Sequence, residues 1–101
     1  VDSEAFGERG VFLEYHGARL ELIETTGVPY HPVRPKRPYC PHLCFEAEDM
    51  DEVIDRLKKH GIQILEGPNE IAGSEQWIYF ADPDWNVLEY IVWLNRDKSG
   101  H

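Results

Sequence analysis

The chain has little cysteine, few bases and no long apolar run, and each shortage removes a class of protein. Its only cysteines are Cys40 and Cys44, too few for the disulfide framework of a small secreted scaffold. Free thiols in a reducing compartment are the expectation, and with them a cytoplasmic location. No apolar stretch approaches the roughly 20 residues that span a bilayer, so a membrane is not an expected partner. The opening Val1-Asp2-Ser3-Glu4 carries no basic-then-apolar leader. Lys and Arg number 10 against 19 Asp and Glu, a formal net charge of -9. That charge repels a phosphate backbone, which argues against nucleic acid and leaves a small molecule as the expected partner. A cationic ligand would be steered favourably.

What is present is ordinary for a globular chain. Of 101 residues, 42% are hydrophobic and 29% charged, enough for one domain with a modest core. Val11-Phe12-Leu13-Glu14-Tyr15 and Ala18-Arg19-Leu20-Glu21-Leu22-Ile23-Glu24 flank His16-Gly17, which predicts a β-hairpin. Alternation along the second strand puts Leu20 and Leu22 on one face and Arg19, Glu21 and Ile23 on the other. Taken alone, a solvated outer face accounts for Glu21.

Gly27 to Pro41 holds Pro29, Pro32, Pro35, Pro38 and Pro41, a spacing that regular structure cannot cross. This stiff connector carries Arg34, Lys36 and Arg37, the only compact basic group, which either meets an anionic substrate tail or keeps the connector solvated. Beyond it, Asp49 and Glu52 have capping-box spacing and predict a helix from Met50. Val53, Ile54 and Leu57 form its apolar stripe, and Asp51, Asp55, Lys58 and Lys59 its wet side. Gly61, after the cationic Lys58-Lys59-His60, ends it.

Ile62-Gln63-Ile64-Leu65 predicts a short strand that Glu66-Gly67-Pro68-Asn69 turns away. Gln76 to Ala81 and Val87 to Val92 predict two more, separated by an Asp82-Pro83-Asp84-Trp85-Asn86 turn. With His42 opening Leu43-Cys44-Phe45, the order from 42 to 93 is strand, helix, strand, strand, strand. One helix covers one face of such a sheet, and Leu43/Phe45, Ile78/Phe80 and Leu88/Tyr90 are the sets expected to meet it. The other face then carries His42, Cys44, Glu46, Trp77, Tyr79 and Glu89. An imidazole and carboxylates there are costly without partners, and a divalent zinc, nickel, iron or manganese ion would satisfy them. A separate zinc site on Cys40, His42 and Cys44 is disfavoured, because same-face neighbours on a strand stand about 7 Å apart and cannot close one tetrahedron. His16 is expected in the turn, and His31, His60 and His101 have no companions that suggest chemistry.

Pro41-His42-Leu43-Cys44-Phe45, then Glu48-Asp49-Met50-Asp51, the helix ending Leu57-Lys58-Lys59-His60-Gly61, Glu66-Gly67-Pro68, and Phe80-Ala81-Asp82-Pro83-Asp84-Trp85-Asn86-Val87-Leu88-Glu89 resemble the second βαβββ module of the vicinal oxygen chelate superfamily. This is the glyoxalase, bleomycin-resistance and extradiol-dioxygenase fold. Leu20-Glu21-Leu22-Ile23-Glu24 resembles the final strand of its first module. The resemblance implies an α+β fold of one glyoxalase-like domain. Residues 1–26 would end the first module, 27–41 form the linker, 42–93 the complete second module and 94–101 a tail. Trp85 stands where the family usually has glycine, and the family's first metal ligand would lie before Val1.

By the same resemblance, Glu21, His42 and Glu89 are metal ligands, and Glu89 or Glu21 acts as general base. Arg19, Cys44, Trp77 and Tyr79 would line the substrate pocket. The implied function is that of a metal-dependent lyase or isomerase like lactoylglutathione lyase, moving a proton next to a carbonyl through a metal-bound enediolate. Two alternatives stand beside it: an iron(II) extradiol-type dioxygenase, with Glu21 a bystander, and a metal-free small-molecule binding protein of the bleomycin-resistance type. The expectation leans toward an enzyme, and toward a homodimer that completes the partial first module.

Overall fold

The computed structural model describes residues 2–3, 8–25 and 31–94, so residues 27–30 of the connector and 95–101 of the tail lie outside the described residues. The chain divides into two compact units, Val1–His31 and Pro32–His101. The first is a three-stranded antiparallel sheet of β1 (Asp2–Ser3), β2 (Glu8–Tyr15) and β3 (Ala18–Thr25), in the order β1-β2-β3. The β2–β3 hairpin turns through His16 (φ 49) and Gly17 (φ 83), two successive positive φ angles that match the twist of the flanking strands. Val11 lies opposite Leu22 and Leu13 opposite Leu20, while Phe12 faces Glu21 and Glu14 faces Arg19. Glu21 therefore sits on the face away from the leucines, as alternation requires.

The second unit runs β4 (Leu43–Ala47), α1 (Met50–Lys59), β5 (Gln63–Ile71), β6 (Glu75–Ala81) and β7 (Val87–Trp93). This is the βαβββ order, and with a single helix among strands the fold is α+β. Its sheet has the order β4-β7-β6-β5. The β4–β7 pair is parallel, and β7–β6 and β6–β5 are antiparallel. Among the described residues no helix is long and apolar enough to cross a membrane.

The helix starts where its cap dictates. An Asp49 carboxylate oxygen accepts from the amides of Asp51 (2.9 Å) and Glu52 (3.4 Å), satisfying donors of the first turn. Glu52 does not complete a reciprocal box; its carboxylate accepts from Arg56, one turn on, at 3.0 Å, where an i,i+4 ion pair is available. At the other end Gly61 has φ 64, the Gly61 amide donates to Lys58 O and the Ile62 amide to Leu57 O. These bonds close the last carbonyls in a Schellman arrangement.

Met50, Val53 and Leu57 of the helix are buried with Ile78, Phe80 and Val92 of the two central strands, and Ile54, Ile64, Leu88 and Tyr90 pack around them. The Phe80 and Tyr90 rings stack at 5.1 Å between centroids. Leu43 departs from expectation. As the first residue of an edge strand, with a neighbouring strand on one side only, it stays 45% exposed.

Glu66-Gly67-Pro68-Asn69 also departs from expectation. The segment does not turn the chain away but lies inside β5, which absorbs it as register shifts between Ile64, Glu66 and Asn69 against β6. Such irregularity bends a strand without ending it. Gly67 makes this possible: its φ is 107, and a Cβ there would stand 3.0 Å from Trp77 O and 3.3 Å from Ile78 Cα. Gly67→Ala is therefore expected to destabilise the fold by roughly 1–3 kcal/mol, combining a strained φ with backbone crowding; a urea midpoint unchanged from wild type would contradict it.

Candidate functional site

Opposite the helix, pairing register lines up side chains across the sheet of the second unit. Cys44 lies opposite Glu89, Glu89 opposite Tyr79, and Tyr79 opposite Glu66. One row thus crosses all four strands. His42, just before β4, joins it: its Nε2 stands 2.8 Å from Glu89 Oε1, with the two side chains 19% and 12% exposed. The Tyr79 ring meets the imidazole edge-on at 5.2 Å and the Tyr39 ring at 5.1 Å.

The other imidazole nitrogen, Nδ1, faces the Tyr39 carbonyl. A carbonyl only accepts, so Nδ1 carries a proton, which in the neutral ring leaves the Nε2 lone pair aimed at Glu89. Two acceptors do not approach to 2.8 Å with nothing between them. The contact calls for a proton or a cation. Ligands about 2.1 Å from one ion stand about 3 Å apart when they subtend a right angle, so this nitrogen and oxygen fit neighbouring positions on a divalent ion. Imidazole plus carboxylate is also a donor set that zinc, nickel, iron and manganese accept. Among the described residues no group of three or more His, Cys, Asp and Glu side chains gathers to hold a metal, and the pair supplies two donors. Neither side chain is an orphan: each is the other's partner, and among the described residues no buried side-chain nitrogen or oxygen lacks one.

A pocket of about 400 Å³ opens beside the pair, lined by Arg37, Pro38, Tyr39, Cys40, His42, Glu66 and Tyr79. Its volume falls in the range of small-molecule sites, ~300–1,000 Å³. Arg37 pairs with Glu66, whose other oxygen accepts from Asn69 Nδ2 at 3.0 Å. The connector is pinned a second time where the Arg34 guanidinium lies 5.2 Å from the Trp85 ring centre. Trp85 has φ 64, the conformation for which glycine is suited, and its ring packs against Arg34. The turn around it is held by Asp82, which accepts from the amides of Asp84 (2.9 Å) and Asn86 (2.8 Å) and from Asn86 Nδ2 (2.7 Å).

Desolvation, and after it the charge of Glu89, push the Cys44 thiol up to about 11. The same two causes raise the Tyr79 hydroxyl above its ordinary value. Both groups stay neutral near pH 7. At pH 8 the Cys44 thiolate fraction should be about a hundredfold below that of a thiol at the ordinary value of 9.0. Iodoacetamide is expected to label Cys44 that much more slowly in the native protein than in urea; equal rates would contradict it.

Of the residues singled out from sequence, the fold joins His42, Glu89 and Tyr79. Cys44 neighbours Glu89, and Trp77 shares their face opposite Ile91, though neither is among the described residues lining the pocket. Glu21 and Arg19 belong to the first unit, where Glu21 is exposed and Arg19 pairs with Glu14 at 3.3 Å. Sequence reasoning missed Tyr39 and Glu66. Alternation through β5 would put Glu66 on the face of Ile64; the register shift between the two carries it to the Tyr79 face instead. Nothing in the sequence marks the Tyr39 carbonyl.

Comparison with known proteins agrees with this layout. A 71-residue stretch, 67% of the chain, is 30% identical to the uncharacterized protein YaeR of Escherichia coli, of which it covers 55%. Fifty residues, 48% of the chain, are 36% identical to the fosfomycin resistance protein FosX of Listeria innocua, covering 38% of it. The chain thus spans about half or less of these relatives. The trypanothione-dependent glyoxalase I of Leishmania major has the same fold, with a TM-score of 0.68 at 22% identity over 99% of this chain and 68% of that one. The family model for the Glyoxalase/Bleomycin resistance protein/Dioxygenase superfamily matches residues 2–90. With that match spanning both units, and the βαβββ order carrying a His–Glu pair opposite its helix, the chain belongs to the Glyoxalase/Bleomycin resistance protein/Dioxygenase superfamily.

Proposed function

We propose that the protein is a metal-dependent lyase or isomerase that moves a proton next to a carbonyl, with His42 and Glu89 holding the divalent ion. The observation that carries this reading is the 2.8 Å approach of His42 Nε2 to Glu89 Oε1, with the ring oriented by the Tyr39 carbonyl. Such an outer partner fixes the tautomer of a ligating imidazole. The ion, when bound, supplies Lewis-acid polarisation of neighbouring substrate oxygens.

The chain's own residues do the rest. Glu89 offers a carboxylate oxygen to take the proton, and its position between Cys44 and Tyr79, both neutral, keeps further charge away from it. Tyr79 and Tyr39 wall the pocket and exclude water from one side of His42. Likeness to FosX and to a glyoxalase I supports chemistry at a small-molecule site rather than at a macromolecular surface.

The test is uptake of zinc, nickel, manganese and iron(II) by protein stripped with chelator, followed by calorimetry and metal analysis. One equivalent of ion, with weaker binding in Glu89→Gln, is the expected result. Protein that takes up none of the four overturns the reading. Full uptake with no effect of Glu89→Gln removes Glu89 from the ligand set.

A further inference from the structure

We propose that Arg37 sets the substrate class: it receives an anionic group, of which a carboxylate is the simplest, at the end of the substrate remote from the reacting carbonyl. This rests on the proposal that His42 and Glu89 hold a divalent ion.

Three observations lead there. Arg37 is the one Lys or Arg among the described residues that line the pocket, and its side chain is 72% exposed while its partner Glu66 is 22% exposed. The guanidinium is therefore open to a ligand although it is already oriented. Its Nε and one terminal nitrogen both meet the same oxygen, Glu66 Oε1. A guanidinium carries five N–H groups in a planar fork; Glu66 and the Tyr39 side chain take some of them, and the rest remain for a ligand. Glu66 cannot swing away freely, because Asn69 holds its other oxygen; it acts as a brace that aims the fork.

Charge points the same way. Within the pocket Arg37 offsets Glu66, and a divalent ion on His42 and Glu89 outweighs the single charge of Glu89. The loaded pocket is thus positive within a chain of net charge -9, and a small anion is the complementary ligand. The pocket volume of about 400 Å³ leaves room for a compact molecule that meets the ion at one end and Arg37 at the other.

The test uses zinc-loaded protein and three size-matched probes: 3,4-dihydroxybenzoate, 3,4-dihydroxybenzamide and 3,4-dihydroxybenzylamine. Each brings two adjacent oxygens to the zinc and differs only in the charge at the far end. Titration followed by tryptophan fluorescence is expected to give about tenfold tighter binding for the carboxylate than for the amide, with the amine weakest. Arg37→Met should bring the three within about twofold of one another while zinc affinity is unchanged, and Arg37→Lys should keep part of the preference, because it retains the charge without the fork. Equal binding of the three probes to wild type, or a carboxylate preference that survives in Arg37→Met, overturns the inference and leaves the metal proposal standing. Failure of wild type to bind zinc overturns both.

Discussion

His42→Ala is expected to lower the affinity for zinc by a hundredfold or more. Losing a partner that merely orients a ligand already costs about 10–100-fold, and here the ligating nitrogen itself goes. Glu89→Ala should do the same from the other side of the contact. The metal-free proteins provide the control. Removing either partner leaves the other largely shielded from water and unpaired, at a cost of about 1–3 kcal/mol. The double variant removes both groups and should be destabilised by less than the sum of the single changes, as expected for residues in direct contact. Zinc titrations and urea melts of the four proteins decide the matter. Wild-type affinity in His42→Ala, or strict additivity in the melts, would show that the imidazole and carboxylate do not act as a unit.

Ile78→Ala should be the most damaging single change to the core, by about 2–5 kcal/mol. Ile78 is 0% exposed and lies in the middle of β6, one of the two interior strands, in the cluster formed by Met50, Val53, Leu57, Phe80 and Val92. Domains of this size are stable by only about 5–15 kcal/mol, and each kcal/mol moves the midpoint by about 4–8 °C. The expected fall in Tm is therefore ~8–40 °C. Leu43→Ala, at an exposed edge, should cost far less, and a comparable loss at both positions would mean that the core has been placed wrongly.

Much of the second unit could be read directly from the chain because its signals are local. Asp49 and Gly61 mark the helix ends through bonds to adjacent residues, and alternation in β6 and β7 assigns Ile78 and Phe80 to one face and Tyr79 and Glu89 to the other. The hairpin likewise declared itself at His16-Gly17. What escaped depends on contacts between distant residues. Glu66 was hidden because a glycine and a proline suggest a turn, whereas in the folded chain the partner strand β6 holds β5 through them. Met50 was read as the start of the helix and not as part of its buried stripe, since one turn cannot show which way it faces. Trp85 was legible as a misfit in the turn, and its packing against Arg34 was not, because 51 positions separate the two.

The parallel pairing of β4 with β7 carries a consequence for biogenesis. His42 and Glu89 are 47 positions apart, and β7 must slide in between β4 and β6 before the imidazole meets the carboxylate. During synthesis His42 therefore cannot meet Glu89 until β7 has emerged. On the proposed function, the two donors for an ion meet only once β7 is in place, so loading would be a late event of maturation.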